Sequence, residues 1–260
     1  MQPLIIDTPL YLDWTFWSVI FSAIAVILSQ LPPVRLWLKK AKIDFEIHSK
    51  ICLLHKIGNP NLHIHVLISN IGGKKIKIKK INAQIESDQK KLAQLPTQDY
   101  LQTPSDKNGI LFTTFSLKPT EEWKHSVNLY NEFSREDEQK FQGFRKNLME
   151  NIRTKLDSRN KENSQEQMEA DPEHVNPIKL FFDNHFIWNA GEYKLTVNIL
   201  TDHASANTSK SFRFTIFESH TEQLKLIVDR YKYGEDILYP PSELMGGLPQ
   251  VALNIVEVFS

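Results

Sequence analysis

The sequence predicts a mainly β protein behind a single N-terminal transmembrane helix. Three observations predict it. No charged residue lies between Asp13 and Arg35, apolar and polar residues alternate with period two over much of Ile43 to Ile216, and a helical period interrupts that alternation near Phe141.

The uncharged interval includes Trp14-Thr15-Phe16-Trp17-Ser18-Val19-Ile20-Phe21-Ser22-Ala23-Ile24-Ala25-Val26-Ile27-Leu28. A helix of about twenty residues rises roughly 30 Å, the thickness of a hydrocarbon core, so the segment reads as a membrane span over 14–34. Asp7 and Asp13 precede it, whereas Arg35, Lys39, Lys40 and Lys42 follow. Cationic flanks stay cytoplasmic, which places residues 1–13 outside the inner or plasma membrane and everything after the basic segment 35–42 inside. Tyr11, Trp14 and Trp17 at one end and Trp37 at the other suit interfacial belts, and Pro32-Pro33 reads as a helix stop rather than a signal-peptide cleavage site. Cys52 is the only cysteine, which fits a reducing compartment.

Lys42 to Ser260 is long enough for one domain with a substantial core. Lys plus Arg and Asp plus Glu balance at 31 each, so no global field points to nucleic acid or to an acidic partner. Strand patterns run through Ile43, Phe45 and Ile47, then Leu62, Ile64, Val66 and Ile68, then Ile76 and Ile78. That last pattern slips by one and resumes at Ile81, Ala83 and Ile85, which predicts a β-bulge at Lys79-Lys80. Ser87 to Asn108 lacks a pattern and reads as loop. Strand signals resume at Leu111–Phe115 and at Trp123, His125, Val127 and Leu129.

Ser134 followed by Asp137 resembles a capping box, and Phe141, Phe144, Leu148, Ile152 and Leu156 then mark one helix face. Arg159 to Glu169, with the flanking residues to Asp171, holds too little apolar surface to order and reads as a mobile part of an insertion over 134–172. Asn189-Ala190-Gly191-Glu192-Tyr193-Lys194-Leu195 then opens a strand with Tyr193, Leu195, Val197 and Ile199 facing inward, and Lys210 to Ile216 reads as its partner.

The Gly-x-Tyr start of that strand resembles the tyrosine corner of immunoglobulin-like domains, with Asn189 in place of Asp and Leu195 in place of the disulfide Cys. The resemblance implies an immunoglobulin-like antiparallel β-sandwich over 43–220, carrying the helical insertion and followed by a C-terminal helix and docked tail over 221–260. The helix has Leu224, Ile227, Val228 and Tyr231 on one face and stops at Gly234.

Chemical motifs are scarce. His63 and His65 share one strand face, a spacing used by zinc sites, with His48, His55 and Asp44 as further candidate ligands. No phosphate-binding loop, dinucleotide fingerprint, nucleophile elbow or His-Glu-x-x-His is present. Cys52 and His55 fall on opposite strand surfaces, which argues against a nucleophile–base pair. No cofactor or nucleic-acid site is expected.

Lys39, Lys40 and Lys42, together with Lys74, Lys75, Lys77, Lys79 and Lys80, form two basic clusters with two readings. They lie on anionic lipid, at about 1 kcal/mol per charge, or they protect an edge strand from unwanted pairing. Ser18, Ser22, Ala25 and Ser29 form a small-residue stripe on which two helices can approach. The expected role is a membrane-anchored adaptor or sensor for a protein partner, able to self-associate through its span. The alternatives are an effector that perturbs the bilayer on a cytosolic signal, and a His-based metal enzyme.

Overall fold

The computed structural model describes residues 14–30, 39–103, 106, 108–158, 167–239, 250–252 and 254–256. Tyr11, the Pro32-Pro33 stop, Arg35, Trp37 and most of the expected mobile segment lie outside the described residues.

The strands are β1 (Ile43–Ile47), β2 (Lys50–Lys56), β3 (Asn59–Asn70), β4 (Ile76–Ser87), β5 (Lys90–Leu101), β6 (Ile110–Leu111), β7 (Phe115–Leu117), β8 (Glu122–Tyr130), β9 (Gly191–Thr201), β10 (Thr208–Ile216), β11 (Gln250–Ala252) and β12 (Asn254–Val256). Alternation selects the inner face. Leu62 to Ile68, Ile76 to Ile85 and Tyr193 to Ile199 contribute inward side chains that are at most 5% exposed. The predicted bulge is present, because the β4–β9 register slips between Ile78 and Lys80 and returns Ile81 to the core.

These strands do not form an immunoglobulin-like sandwich. They make one antiparallel sheet in the order β11-β2-β3-β8-β5-β4-β9-β10-β12, curled into a nearly closed barrel. A sandwich keeps its two sheets separate. Here β5 pairs with β4 through Lys90–Pro96 and with β8 through Thr97–Leu101, so one strand belongs to both halves. Much of the segment expected to be loop is therefore strand. Its pattern is weak because its partners change midway and only Leu95 and Thr97 are buried.

The tyrosine motif is real as a local contact. The Tyr193 hydroxyl donates toward the carbonyls of Ile187 and Asn189, at 2.7 and 2.9 Å. It fixes a helix-to-strand junction rather than a corner between two sheets.

The membrane expectation is also corrected. Helix α1 (Trp14–Gln30) has 17 residues, including Thr15, Ser18, Ser22, Ser29 and Gln30. At 1.5 Å per residue it rises about 25 Å, short of a hydrocarbon core. No helix among the described residues is long and apolar enough to cross a membrane. A single-pass topology is accordingly not supported by the described residues.

Helix α2 (Arg135–Asp157) starts where Ser134 Oγ accepts the Asp137 N–H at 3.1 Å. It packs through Phe144 on Phe181 of α3 (Pro172–His185), a helix that the sequence reading omitted. The end of the expected mobile segment is docked. Ala170 is buried, and Glu169 pairs with Lys232 and accepts from the Tyr233 hydroxyl. Helix α4 (Glu218–Lys225) continues as a 3-10 helix over Leu226–Tyr233, ended by Gly234 at φ +85°.

The β2–β3 hairpin is pinned against these helices. Ile57 and Gly58 both have positive φ, and a Cβ on Gly58 would lie 2.3 Å from the Phe182 carbonyl oxygen. The Ile57 N–H donates to Asp236, whose carboxyl is pushed up to about 6 by burial, opposed by that bond and by the Lys56 charge. A raised carboxyl pKa means that the native state holds its proton more tightly than the unfolded chain. The associated stability is complete below about pH 4 and lost as pH rises through about 6, with a magnitude on the order of 3 kcal/mol. Asp236→Asn keeps an acceptor for Ile57 and removes the charge. It is expected to stabilise the fold at pH 7.5 and to flatten the pH 4–7 stability profile, measured by denaturant unfolding.

Candidate functional site

The strongest surface feature is a basic crest at one end of the barrel. Lys39, Lys40 and Lys42 precede β1, and Lys74, Lys75, Lys77, Lys79 and Lys80 lead into and along β4; all eight are exposed. The fold brings the two clusters together through the backbone. Ile71 and Gly72 N–H groups donate to the Lys42 carbonyl at 3.1 and 2.9 Å, and Gly73 donates to that of Lys40 at 3.2 Å. A Cβ on Gly72 would come within 2.5 Å of the Lys40 carbonyl oxygen, so only glycine permits this approach.

Asn70 ties the arrangement down. Its amide donates to the carbonyls of Lys74 (2.8 Å) and Leu117 (3.0 Å), while its Oδ1 accepts from Gly72 N–H at 3.0 Å. Asp202 completes the anchorage by accepting from the Lys77 N–H, a bond that holds its carboxyl below the usual range with help from the Lys79 charge.

Edge protection does not account for the β4 lysines. β4 pairs with β9 on one side and with β7 and β5 on the other, so it is an interior strand. Among the described residues none of the eight lysines makes an ion pair, whereas Lys194 on β9 pairs with Glu86 and Lys210 on β10 with Asp44.

The expected histidine site does not assemble as a metal centre. His63 and His65 do share the outer face, and His65 Nδ1 lies 3.0 Å from Ser126 Oγ. His63 is bonded to Asn128, whose amide donates to Asp99 Oδ1 at 2.6 Å, and burial lowers the His63 pKa. His55 packs against Phe182 and Phe186, with Nε2 at the Leu224 carbonyl and Nδ1 accepting from Gly58.

The one group of three close metal-type ligands among the described residues is Asp171, Glu173 and His174. Asp171 is already committed to Lys155 at 2.6 Å and Asn151 at 2.7 Å. The Cys52 neighbour that the sequence reading missed is His63, directly across the β2–β3 ladder. Burial pushes the Cys52 thiol up, which disfavours a thiolate nucleophile.

The small-residue stripe is exposed along α1. Ser18 and Ser29 hydroxyls donate to the Thr15 and Val26 carbonyls within the helix, while Ser22 and Ala25 face outward with no large side chain.

No family model matches this chain. No curated protein matches it either. Among solved structures, a crystal structure of a protein from Archaeoglobus fulgidus overlaps 68% of this chain and 97% of its own at a TM-score of 0.26 and 8% identity. A likeness of that size carries no argument about fold or function.

Because three side-chain bonds meet at one buried amide, Asn70→Ala is expected to cost about 3 kcal/mol in denaturant unfolding. Limited trypsin digestion should then cut first after Lys74 or Lys75.

Proposed function

We propose that this protein is a binding module that docks an acidic protein surface on its lysine crest. The observation that carries the reading is the placement of Lys77, Lys79 and Lys80, exposed and without an ion pair among the described residues, on an interior strand where edge protection offers no reason for them, beside five further exposed lysines brought together at Gly72. Each retained lysine repels its neighbours, and a complementary acidic surface relieves that repulsion on docking. A nucleic acid fits the crest less well, because Tyr100, Phe115 and Trp123 pack against one another instead of interleaving with the lysines as a stacking platform.

Binding of a labelled polyglutamate peptide tests the crest. Affinity is expected to fall steeply between about 50 and 300 mM salt, as the range of the charge interaction shortens. Lys74→Glu, Lys75→Glu, Lys77→Glu and Lys79→Glu together should weaken binding more than tenfold. Equal binding by this variant, or preference for anionic vesicles or single-stranded RNA over the peptide, would overturn the reading.

A second feature supports self-association. Large apolar residues on α1 are extensively exposed, from Trp14 at 87% to Phe16 at 38%. Their summed exposed surface is on the order of 1,000 Å², more than monomers usually leave open, and it is distributed around the whole helix. A second copy's α1 approaches most closely through the small-residue stripe and covers the apolar side chains that flank it, and pairing presents two crests at once.

Light scattering of the full chain is the check. Ser22→Leu with Ala25→Leu should shift the dimer toward monomer at least tenfold, while Ile20→Leu with Ile27→Leu should not. Monomer throughout in the unmodified chain would sink pairing through α1.

A further inference from the structure

Two large apolar side chains stand exposed within the lysine crest. Leu200 is on the outward face of β9, where Glu192, Lys194, Thr196 and Asn198 precede it, and it is 37% exposed. Alternation calls for a polar residue at that position. Leu200 lies opposite Lys80 in the β4–β9 ladder, where the register slip leaves Lys79 and Lys80 both exposed. Ile71 is 42% exposed in the turn between β3 and β4. It sits between Lys42, whose carbonyl accepts its N–H at 3.1 Å, and Lys74 three residues on.

Neither side chain is exposed through a loose backbone. Ile71 follows the buried Asn70 and precedes the buried Gly72. Leu200 lies between the buried Ile199 and Thr201. Just beyond, Asp202 accepts the Lys77 N–H at 2.9 Å and donates its own N–H to the Lys77 carbonyl at 3.0 Å. Both apolar groups are therefore held in place before anything binds, and covering them costs little ordering.

Resting on the reading of the crest as a dock for an acidic surface, we infer that its partner is an acidic segment with apolar side chains among its carboxylates, seated on Ile71 and Leu200. Lysines alone would accept any dense run of acid. Charge complementarity gives the partner its sign, and the two exposed apolar groups give it its composition. Interfaces draw most of their affinity from a few such anchors, with polar contacts around them excluding water. The bulge in β4 suits that arrangement. Unbroken alternation would turn Lys80 inward, whereas the slip leaves two consecutive lysines outside beside Leu200.

The full chain is titrated with polyglutamate and with a peptide of equal length that repeats Glu-Glu-Leu. The mixed peptide carries fewer charges, so charge alone makes it the weaker ligand. At about 150 mM salt it is expected to bind roughly fivefold tighter than polyglutamate, and to lose less affinity as salt rises further. Ile71→Thr with Leu200→Thr, both at exposed positions, should leave the unfolding midpoint in place and make polyglutamate the tighter ligand. Ile71→Val with Leu200→Met keeps the apolar surface and should keep the original order. Equal or tighter binding of polyglutamate by the unmodified chain would overturn the inference and leave the crest reading standing. A preference for the mixed peptide that survives both threonine substitutions would overturn it as well, by placing the apolar contact elsewhere. Binding of neither peptide would remove the crest reading, and the inference with it.

Discussion

Closure of the sheet is the constraint on which the other features depend. A curled sheet must satisfy every strand edge or leave a row of unpaired donors and acceptors, and here two half-sheets are joined by two segments that each belong to both. β5 makes one join. Its ladder to β4 ends at Pro96, a residue with no N–H to contribute further, and the register slip between Thr97 and Asp99 redirects it onto β8. Residues 250–252 and 254–256 make the other join with three pairs on each side, against six and four for β5. The barrel is thus strong along one join and weak along the other.

The helices reinforce the weak side rather than forming a separate layer. α3 carries Phe182 against the β2–β3 hairpin and leads into Trp188, whose buried indole donates to the Leu54 carbonyl of β2. Tyr193 then locks that junction, because its hydroxyl uses two carbonyls that would otherwise be left free where helix gives way to strand. A tyrosine corner is a local solution to unsatisfied carbonyls at a chain reversal. It occurs wherever that problem occurs, so it identifies the reversal and not the architecture around it.

Period and turn chemistry made much of the strand set legible. Ile76 to Ile85, including the slip at Lys79-Lys80, and Tyr193 to Ile199 follow from alternation alone, as does the helix capped by Ser134 from its own period. β5 was not legible, because a strand with two sets of partners shows no single buried face. α3 was hidden by Pro172 and Pro177, although proline is favourable in a first helical turn, where Pro172 sits after Asp171. The apolar run at Trp14 was legible as a helix, but its length and its serine content fall short of the span that the absence of charge implied. At the candidate site, the lysines were visible and their convergence was not. Contact between Lys40–Lys42 and Ile71–Gly73 is a tertiary fact resting on Gly72 and Asn70, neither of which carries a sequence signal beyond a turn.

Net charge hides how the charges are arranged. Several acidic groups of the helical region are spent within it: Asp137 with Lys140, Glu150 with Lys146, Asp157 with Arg153, Asp171 with Lys155 and Glu169 with Lys232. Most of these pairs are exposed, so each adds little stability, yet each cancels its own field at short range. The crest lysines have no such partners among the described residues. A chain whose positive and negative residues balance overall can therefore still carry a locally positive surface at one end of the barrel, because the pairing pattern rather than the total decides where charge is left uncancelled.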